Sequence, residues 1–308
     1  MQPLSVQQSG HRLCYQDVGP ADGPVVVLVH GLVSDNTTWA PAMAALAARG
    51  VRVIAPDLLG HGASDKPPCT PATYSLDGFA TSLRDLLMAL SVPRATFVGH
   101  SLGGAIAMHF AYHYPAHAER LVLVASGGLG KGVHPVLRAA AVPGSSVLVR
   151  VLVNEATLGL ARQLRLHRVF RLPPVVVDNL RRAFGGLAIP AGRAAFFATL
   201  RSVISPSGQR GSMIEMRYLG EHVPTLIVWS ERDHVIPVTH ARALHEFLPT
   251  SRLELFPGSS HQPHCRYADR FAATLADFLA TTAPAPDPLG KVPSTSGAVA
   301  QPVRAGDS

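Results

Sequence analysis

Apolar residues in this chain fall into short unbroken runs, separated by longer stretches where they recur every three or four positions. Val25 to Val29 is the clearest run, with five consecutive aliphatic residues, the pattern of a strand covered on both faces. Comparable strand patterns span Arg12 to Val18, Val51 to Ala55, Ala95 to Val98, Arg120 to Ala125, Thr225 to Trp229 and Arg252 to Phe256. Helical periodicity occupies the intervals, over Thr38 to Ala48, Leu76 to Leu90, Leu102 to His113, Thr239 to Phe247 and Tyr267 to Leu279. Alternation of this kind predicts an α/β fold with a mostly parallel central sheet and helices on both faces.

One interval departs from the alternation. From about Gly127 to Arg217 no strand pattern stands out, only helix-like stretches at Ser146 to Val153, Ala156 to Leu166, Val175 to Phe184 and Gly192 to Val203. The expected organisation is a core over residues 1–126, a helical insertion over 127–217, and a return to the core over 218–282. A tail over 283–308, rich in Pro, Ser, Gly and Ala, is expected to be disordered.

Charge sharpens that division. The 308 residues carry a net charge of +7. Lys131 to Arg210 holds twelve Lys or Arg against Glu155 and Asp178, a local +10 that leaves the rest of the chain at −3. A basic insertion suits docking on anionic lipid, where each cation contributes on the order of 1 kcal/mol, or the attraction of acidic substrates. It also suits a solvated face whose arginine stems lie over apolar helices. No aromatic interleaving accompanies the arginines, so a nucleic-acid partner is not expected.

The chemistry is concentrated in Gly99-His100-Ser101-Leu102-Gly103, placed between a predicted strand and a predicted helix. A serine on such a turn must hold a strained backbone, at about 1–3 kcal/mol, and needs small neighbours two residues to either side. The following helix aims unpaired N–H groups at negative charge forming beside the serine. A serine hydroxyl is a weak nucleophile until a histidine takes its proton, and that histidine needs an acid to fix its tautomer. Two loops at strand ends offer these groups. Ser230 to Pro237 supplies Asp233, with Glu231 as its rival, and Pro257 to His261 supplies His261, with His264 as its rival. Glu231 lies only two residues past the strand, where a longer side chain points to solvent; His264 reads as a pocket wall or a capped surface residue. An imidazole base must be neutral, so such activity falls as pH drops through the ordinary histidine range near ~6.5.

His30-Gly31-Leu32 ends the Val25 to Val29 run, and its glycine lets backbone approach a substrate. The backbone N–H of Leu32 is therefore expected to join that of Leu102 as an oxyanion donor. Trp39, His100 and Val235 are expected at the substrate pocket, with core or rim as the alternative for Trp39.

Taken together, His30-Gly31, the stretch Asp57-Leu58-Leu59-Gly60-His61-Gly62-Ala63-Ser64-Asp65, the Ser101 turn and the Asp233 and His261 loops resemble the alpha/beta-hydrolase superfamily. Within it the chain is similar to serine esterases, lipases and carbon–carbon bond hydrolases that carry a helical cap. The resemblance implies that residues 127–217 form that cap and that Gly60 to Asp65 holds the pocket rim. It implies catalysis by Ser101, Asp233 and His261 through an acyl-enzyme on small to medium apolar carboxylic esters, with no cofactor and no metal. Two alternatives stay open: cleavage of a carbon–carbon bond in ring-fission products, or a non-catalytic ligand-binding protein of the same fold. Members of the carbon–carbon branch usually carry Asn where this chain has His100. Relatives that use an aspartate nucleophile are disfavoured by serine at position 101.

Remaining signals are negative. Met1 to Gln7 has neither a basic start nor an apolar core, no apolar run reaches the roughly 18 residues that span a bilayer, and Cys14, Cys69 and Cys265 are odd in number and scattered. A cytoplasmic enzyme acting on a small molecule is the expectation.

Overall fold

The computed structural model describes residues 4–70, 72–163, 184–210, 219, 222–258, 260–287 and 303–304. Its strands are β1 (Leu4–Gln8), β2 (His11–Val18), β3 (Val25–Val29), β4 (Arg52–Pro56), β5 (Ala95–His100), β6 (Ala118–Val124), β7 (Ile204–Ser205), β8 (Gly208–Gln209), β9 (Thr225–Ser230), β10 (Arg252–Phe256) and β11 (Val303–Arg304). All but β7 and β8 belong to one sheet of order β10-β9-β6-β5-β3-β4-β2-β1-β11. From β10 to β4 every pairing is parallel, and from β4 outward each is antiparallel. The register sets Val29 opposite Gly99, Val124 opposite Val228 and Phe256 opposite Ser230. Strands β3, β5, β6, β9 and β10 therefore end together along one edge.

Side chains alternate across this sheet with the two-residue period of a strand. Val27 and Val29 face a core shared with α2 (Leu76–Ala89) and α3 (Leu102–His113). Val26 and Leu28 face a second core built from α1 (Ala40–Ala47) and the C-terminal helix over Ala268–Thr281. Ser75 caps α2 by accepting from Gly78 N–H at 3.0 Å, and Asp77 sits in the first turn, where a negative charge complements the helix dipole.

Between β6 and β9 lie α4 (Pro135–Ala140), α5 (Ser145–Leu152), α6 (Glu155–Gln163) and α7 (Pro190–Val203). A small core of Ala141, Leu187, Phe196, Phe197, Leu200 and Ile204 lies beside α7, with Leu137 and Ala140 of α4 and Val149 of α5 packed against it. α5 buries none of its residues, and Val147, Leu148, Val151 and Leu152 are each more than 60% exposed. The hairpin β7–β8 lies in the interval expected to be free of strands; with two residues per strand it leaves no periodic trace. The Val175 to Phe184 expectation falls, but for its last residue, outside the described residues. Beyond these, the chain continues through α8 (Thr239–Phe247), α9 (Pro263–Arg266) and α10 (Ala268–Thr281). Among the described residues no helix is long and apolar enough to cross a membrane.

Two edge features were absent from the sequence expectations. β1 reads Leu-Ser-Val-Gln-Gln, too polar for a buried run, and pairs only at the antiparallel side of the sheet. The start of the tail is fastened: Ala285 is buried, its N–H donates to Glu119 O at 2.9 Å, and Arg94 Nη2 donates to its carbonyl at 2.6 Å. Tail residues 288–302 and 305–308 lie outside the described residues.

The turn after β4 is tied by Asp57. Its buried carboxylate accepts from Asn36 N–H at 2.7 Å and from Ala63 N–H at 2.8 Å. Ser64 Oγ donates to Asp57 O at 2.6 Å and accepts from Cys14 N–H at 2.8 Å. Gly62 sits at φ +47°, with no room for a Cβ beside the Asp57 carboxylate. Removing that carboxylate in Asp57→Ala orphans the buried Asn36 N–H, at a cost on the order of 1–3 kcal/mol, and frees the part-buried Ala63 N–H at a smaller one. Urea unfolding should show the loss as a lower midpoint with the slope unchanged.

Candidate active site

Ser101 occupies the junction of β5 and α3 at φ +54° and ψ −115°, a region that costs a non-glycine residue about 1–3 kcal/mol. The junction is close enough that a Cβ on Gly99 would strike the Gly103 carbonyl, and one on Gly103 the carbonyls of Val29 and His30. Ser101 stands at the N-cap position of α3, yet its side chain makes no capping hydrogen bond. Serine normally spends its hydroxyl there on a helix N–H; here the strained backbone turns it away. The main chain is pinned instead, with Ser101 N–H donating to Val124 O at 3.0 Å and Ser101 O accepting from Gly127 N–H at 2.8 Å.

The β9 and β10 loops bring Asp233 and His261 together. Asp233 Oδ1 accepts from Val235 N–H at 2.7 Å and Ile236 N–H at 3.1 Å. Its Oδ2 lies 2.8 Å from His261 Nδ1, with side-chain exposures of 0% for Asp233 and 18% for His261. A carboxylate only accepts, so Nδ1 carries the proton and Nε2 is left with its lone pair when the ring is neutral. Glu231 is exposed and makes neither a hydrogen bond nor an ion pair with His261 among the described residues. Ser101 Oγ makes no hydrogen bond to His261 among the described residues; catalytic contacts of this type commonly tighten only with substrate bound.

What joins His261 to the Ser101 turn is His100. Its Nε2 donates to the His261 carbonyl at 2.8 Å, and the two rings lie 4.8 Å apart. That carbonyl can only accept, so His100 Nδ1 is bare; it is buried without a hydrogen-bond partner among the described residues. His264 packs 4.6 Å from His100 and 4.1 Å from Trp39, centroid to centroid. Burial drives the His100 imidazole well below its ordinary value, helped by His264 and His261, and pushes His264 down to about 3. Across the site, burial likewise lowers His30, whose Nε2 accepts from Leu58 N–H at 3.0 Å, and raises Asp57.

A cavity of about 280 Å³ opens over Ser101, lined among others by Leu32, Leu102, Ala105, Val133 and Ile236. Gly31 brings the Leu32 backbone beside the nucleophile candidate: a Cβ there would sit 3.2 Å from Ser101 Cβ. Neither Leu32 N–H nor Leu102 N–H donates to another backbone group among the described residues. A larger cavity, about 460 Å³, lies beside Asp57 and Lys66 and does not reach Ser101.

The pocket-wall expectations need correction, because none of the three residues lines the Ser101 cavity. Trp39 is fully buried beneath it against His264 and Phe271. His100 is turned under the loop that it holds, and Val235 lends its N–H to Asp233 while Ile236 takes the wall. His264 is neither wall nor surface but fully buried. Sequence reasoning also passed over Gln209, which lines the cavity while its side chain bridges Gly128 N–H at 2.7 Å and Gly132 O at 2.8 Å. Nothing in the local pattern marks it. His109 was readable, since Leu102, Ala105 and His109 share one helical face.

The chain matches the family described as alpha/beta hydrolase fold over residues 24–265. It is 40% identical over 281 residues to an uncharacterized protein of Mycobacterium tuberculosis, covering 90% of this chain and 80% of that one. It is 26% identical over 257 residues to Lipase 3 of Moraxella sp., covering 83% of this chain and 77% of the lipase. Among solved structures, the meta-cleavage product hydrolase of Pseudomonas fluorescens IP01 superposes with a TM-score of 0.68 at 26% identity, over 90% of this chain and 97% of that one.

The neutral, buried His264 has a consequence for stability. Unfolding exposes a ring that protonates near ~6.5, whereas the folded state resists protonation down to about 3. Within that window the unfolded chain binds more protons, so stability falls as pH drops. His264→Phe should flatten this acid limb by up to about 1.4 kcal/mol per pH unit, read from urea unfolding between about pH 4 and about pH 6.

Proposed function

Because the chain belongs to the alpha/beta hydrolase fold family, we propose that it is a serine hydrolase that cleaves carboxylic esters of small to medium apolar substrates through an acyl-enzyme. One observation carries this reading: Ser101, Leu32 and Leu102 all border a single, mostly apolar cavity, at the sheet edge where Asp233 holds His261. In the proposed mechanism His261 Nε2 takes the Ser101 proton as Oγ attacks the carbonyl carbon. The N–H groups of Leu32 and Leu102, the latter at the N-terminus of α3, receive the oxyanion. His261 then gives its proton to the leaving alcohol, draws one from the water that attacks the acyl carbon, and returns it to Ser101 Oγ as the acid departs.

In this reading residues 127–217 act as a cap over the cavity, and the enzyme works as a cytoplasmic protein whose three cysteines form no disulfide. The cap carries the chain's excess positive charge together with the exposed apolar residues of α5. That pairing supports peripheral contact with anionic lipid, in keeping with a relative named as a lipase.

A second reading is favoured by Arg210, a cation among the cavity-lining residues. It suits a substrate with a carboxylate, such as the acidic product of ring cleavage, and the similarity to a meta-cleavage product hydrolase points the same way. His100 stands against it.

Nitrophenyl esters of increasing acyl length, with and without a terminal carboxylate, tested beside a vinylogous diketone acid, separate the two readings. A preference for neutral short chains is expected; a preference for the diketone acid that is lost in Arg210→Ala would favour the second. Ser101→Ala should lose both turnover and labelling by a fluorophosphonate, and full turnover in that variant would refute the assignment. Asp233→Asn should lower kcat by roughly 10,000-fold, while Glu231→Gln should leave it near the parent value.

A further inference from the structure

On the surface of α3, His109 and His113 are spaced four residues apart and so project from the same side of the helix. Their Nε2 atoms lie 3.1 Å from each other. Asp77, in the first turn of the neighbouring α2, places Oδ1 2.6 Å from His109 Nε2 and 3.3 Å from His113 Nε2. One ligand atom from each residue thus falls within 4.8 Å of the other two.

Protons satisfy this triangle poorly. A neutral imidazole has one N–H, so if both Nε2 atoms are protonated toward Asp77, their hydrogens crowd each other. If only one is protonated, the other turns a lone pair toward a carboxylate oxygen. A divalent cation meets all three atoms at once, taking two imidazole lone pairs and one carboxylate oxygen. Zinc bonds near 2.0–2.2 Å give a tetrahedral site edges of about 3.3–3.6 Å. Reaching that size opens the Asp77–His109 edge by under about 1 Å and the other two by a few tenths of an ångström, mostly in side chains free to move: Asp77 is 70% exposed and His113 42%.

We propose that Asp77, His109 and His113 form a three-ligand site for zinc, completed by water. The donor set is nitrogen and oxygen without thiolate, which suits a borderline divalent transition metal over calcium or magnesium. The site adjoins the Ser101 cavity. His109 belongs to the cavity wall, about 10 Å along α3 from Leu102, and Leu76, next to Asp77 in sequence, lines the same end. A bound ion fixes the His109 ring and cross-links α2 to α3, closing the distal end of the pocket. The site stands independently of the role given to Ser101.

Chelator-treated, untagged protein dialysed against zinc chloride tests this directly. The parent protein should take up one equivalent and show a raised Tm, whereas His113→Ala and Asp77→Asn, checked for native circular dichroism, should bind at least about tenfold more weakly, as expected on loss of a ligand. Cobalt serves as the spectroscopic probe: the site should give visible d–d bands without a thiolate-to-metal charge-transfer band, separating it from binding at Cys14, Cys69 or Cys265. Failure of the parent to retain stoichiometric zinc, unchanged affinity in both variants, or a thiolate signature would each overturn the proposal.

Discussion

The close junction of β5 with α3 is the constraint on which the site depends. Ser101 holds a backbone conformation that the chain would abandon if helix and sheet could move apart. They are held together by small residues: Gly99 against Gly103, Gly103 against the carbonyls ending β3, and Gly104 against Ser126 after β6. Three parallel strands therefore share one contact with the first turn of α3. A single added methyl group in that contact would lift the helix and shift the Leu102 N–H and the serine together. Geometry at the candidate oxyanion position is thus a property of strand–helix packing and involves no side chain at Leu32 or Leu102.

This explains how much of the protein could be read from its residues. Continuous aliphatic runs identified the parallel strands because both of their faces are buried, and the glycines around Ser101 identified the junction because only glycine fits there. The Asp233 and His261 loops were readable from their positions after strands. Pocket walls were not. Ile236 and Gln209 reach the cavity from loops and a two-residue strand, where no period links residue type to direction. Trp39 shows the opposite failure: a large ring near the site in sequence was taken for a contact, but it serves as the floor on which His264 rests.

That floor is unusual in composition. His100 and His264 are buried beneath His261, and neither has a charged partner among the described residues. Both remain neutral because burial penalises the imidazolium more than any nearby group favours it. Neutral rings serve here as flat, polar packing units: His100 spends its one proton on the His261 carbonyl, fixing the loop rather than the ring. Phenylalanine would fill the space without making that bond, and asparagine would make a bond without filling the space.

Fastening of the chain beyond α10 bears on how the sheet is held closed. Arg94 and the Glu119 carbonyl clasp Ala285, while Arg120 Nε donates to Thr282 Oγ1 at 2.9 Å. These residues lie at the starts of β5 and β6, the end of the sheet opposite Ser101. The last helix is consequently buttoned to the far ends of the same two strands whose near ends frame the nucleophile candidate. Shortening the polypeptide to residue 282 would keep the Thr282 contact but discard the Ala285 clasp, whereas stopping at 287 would keep both.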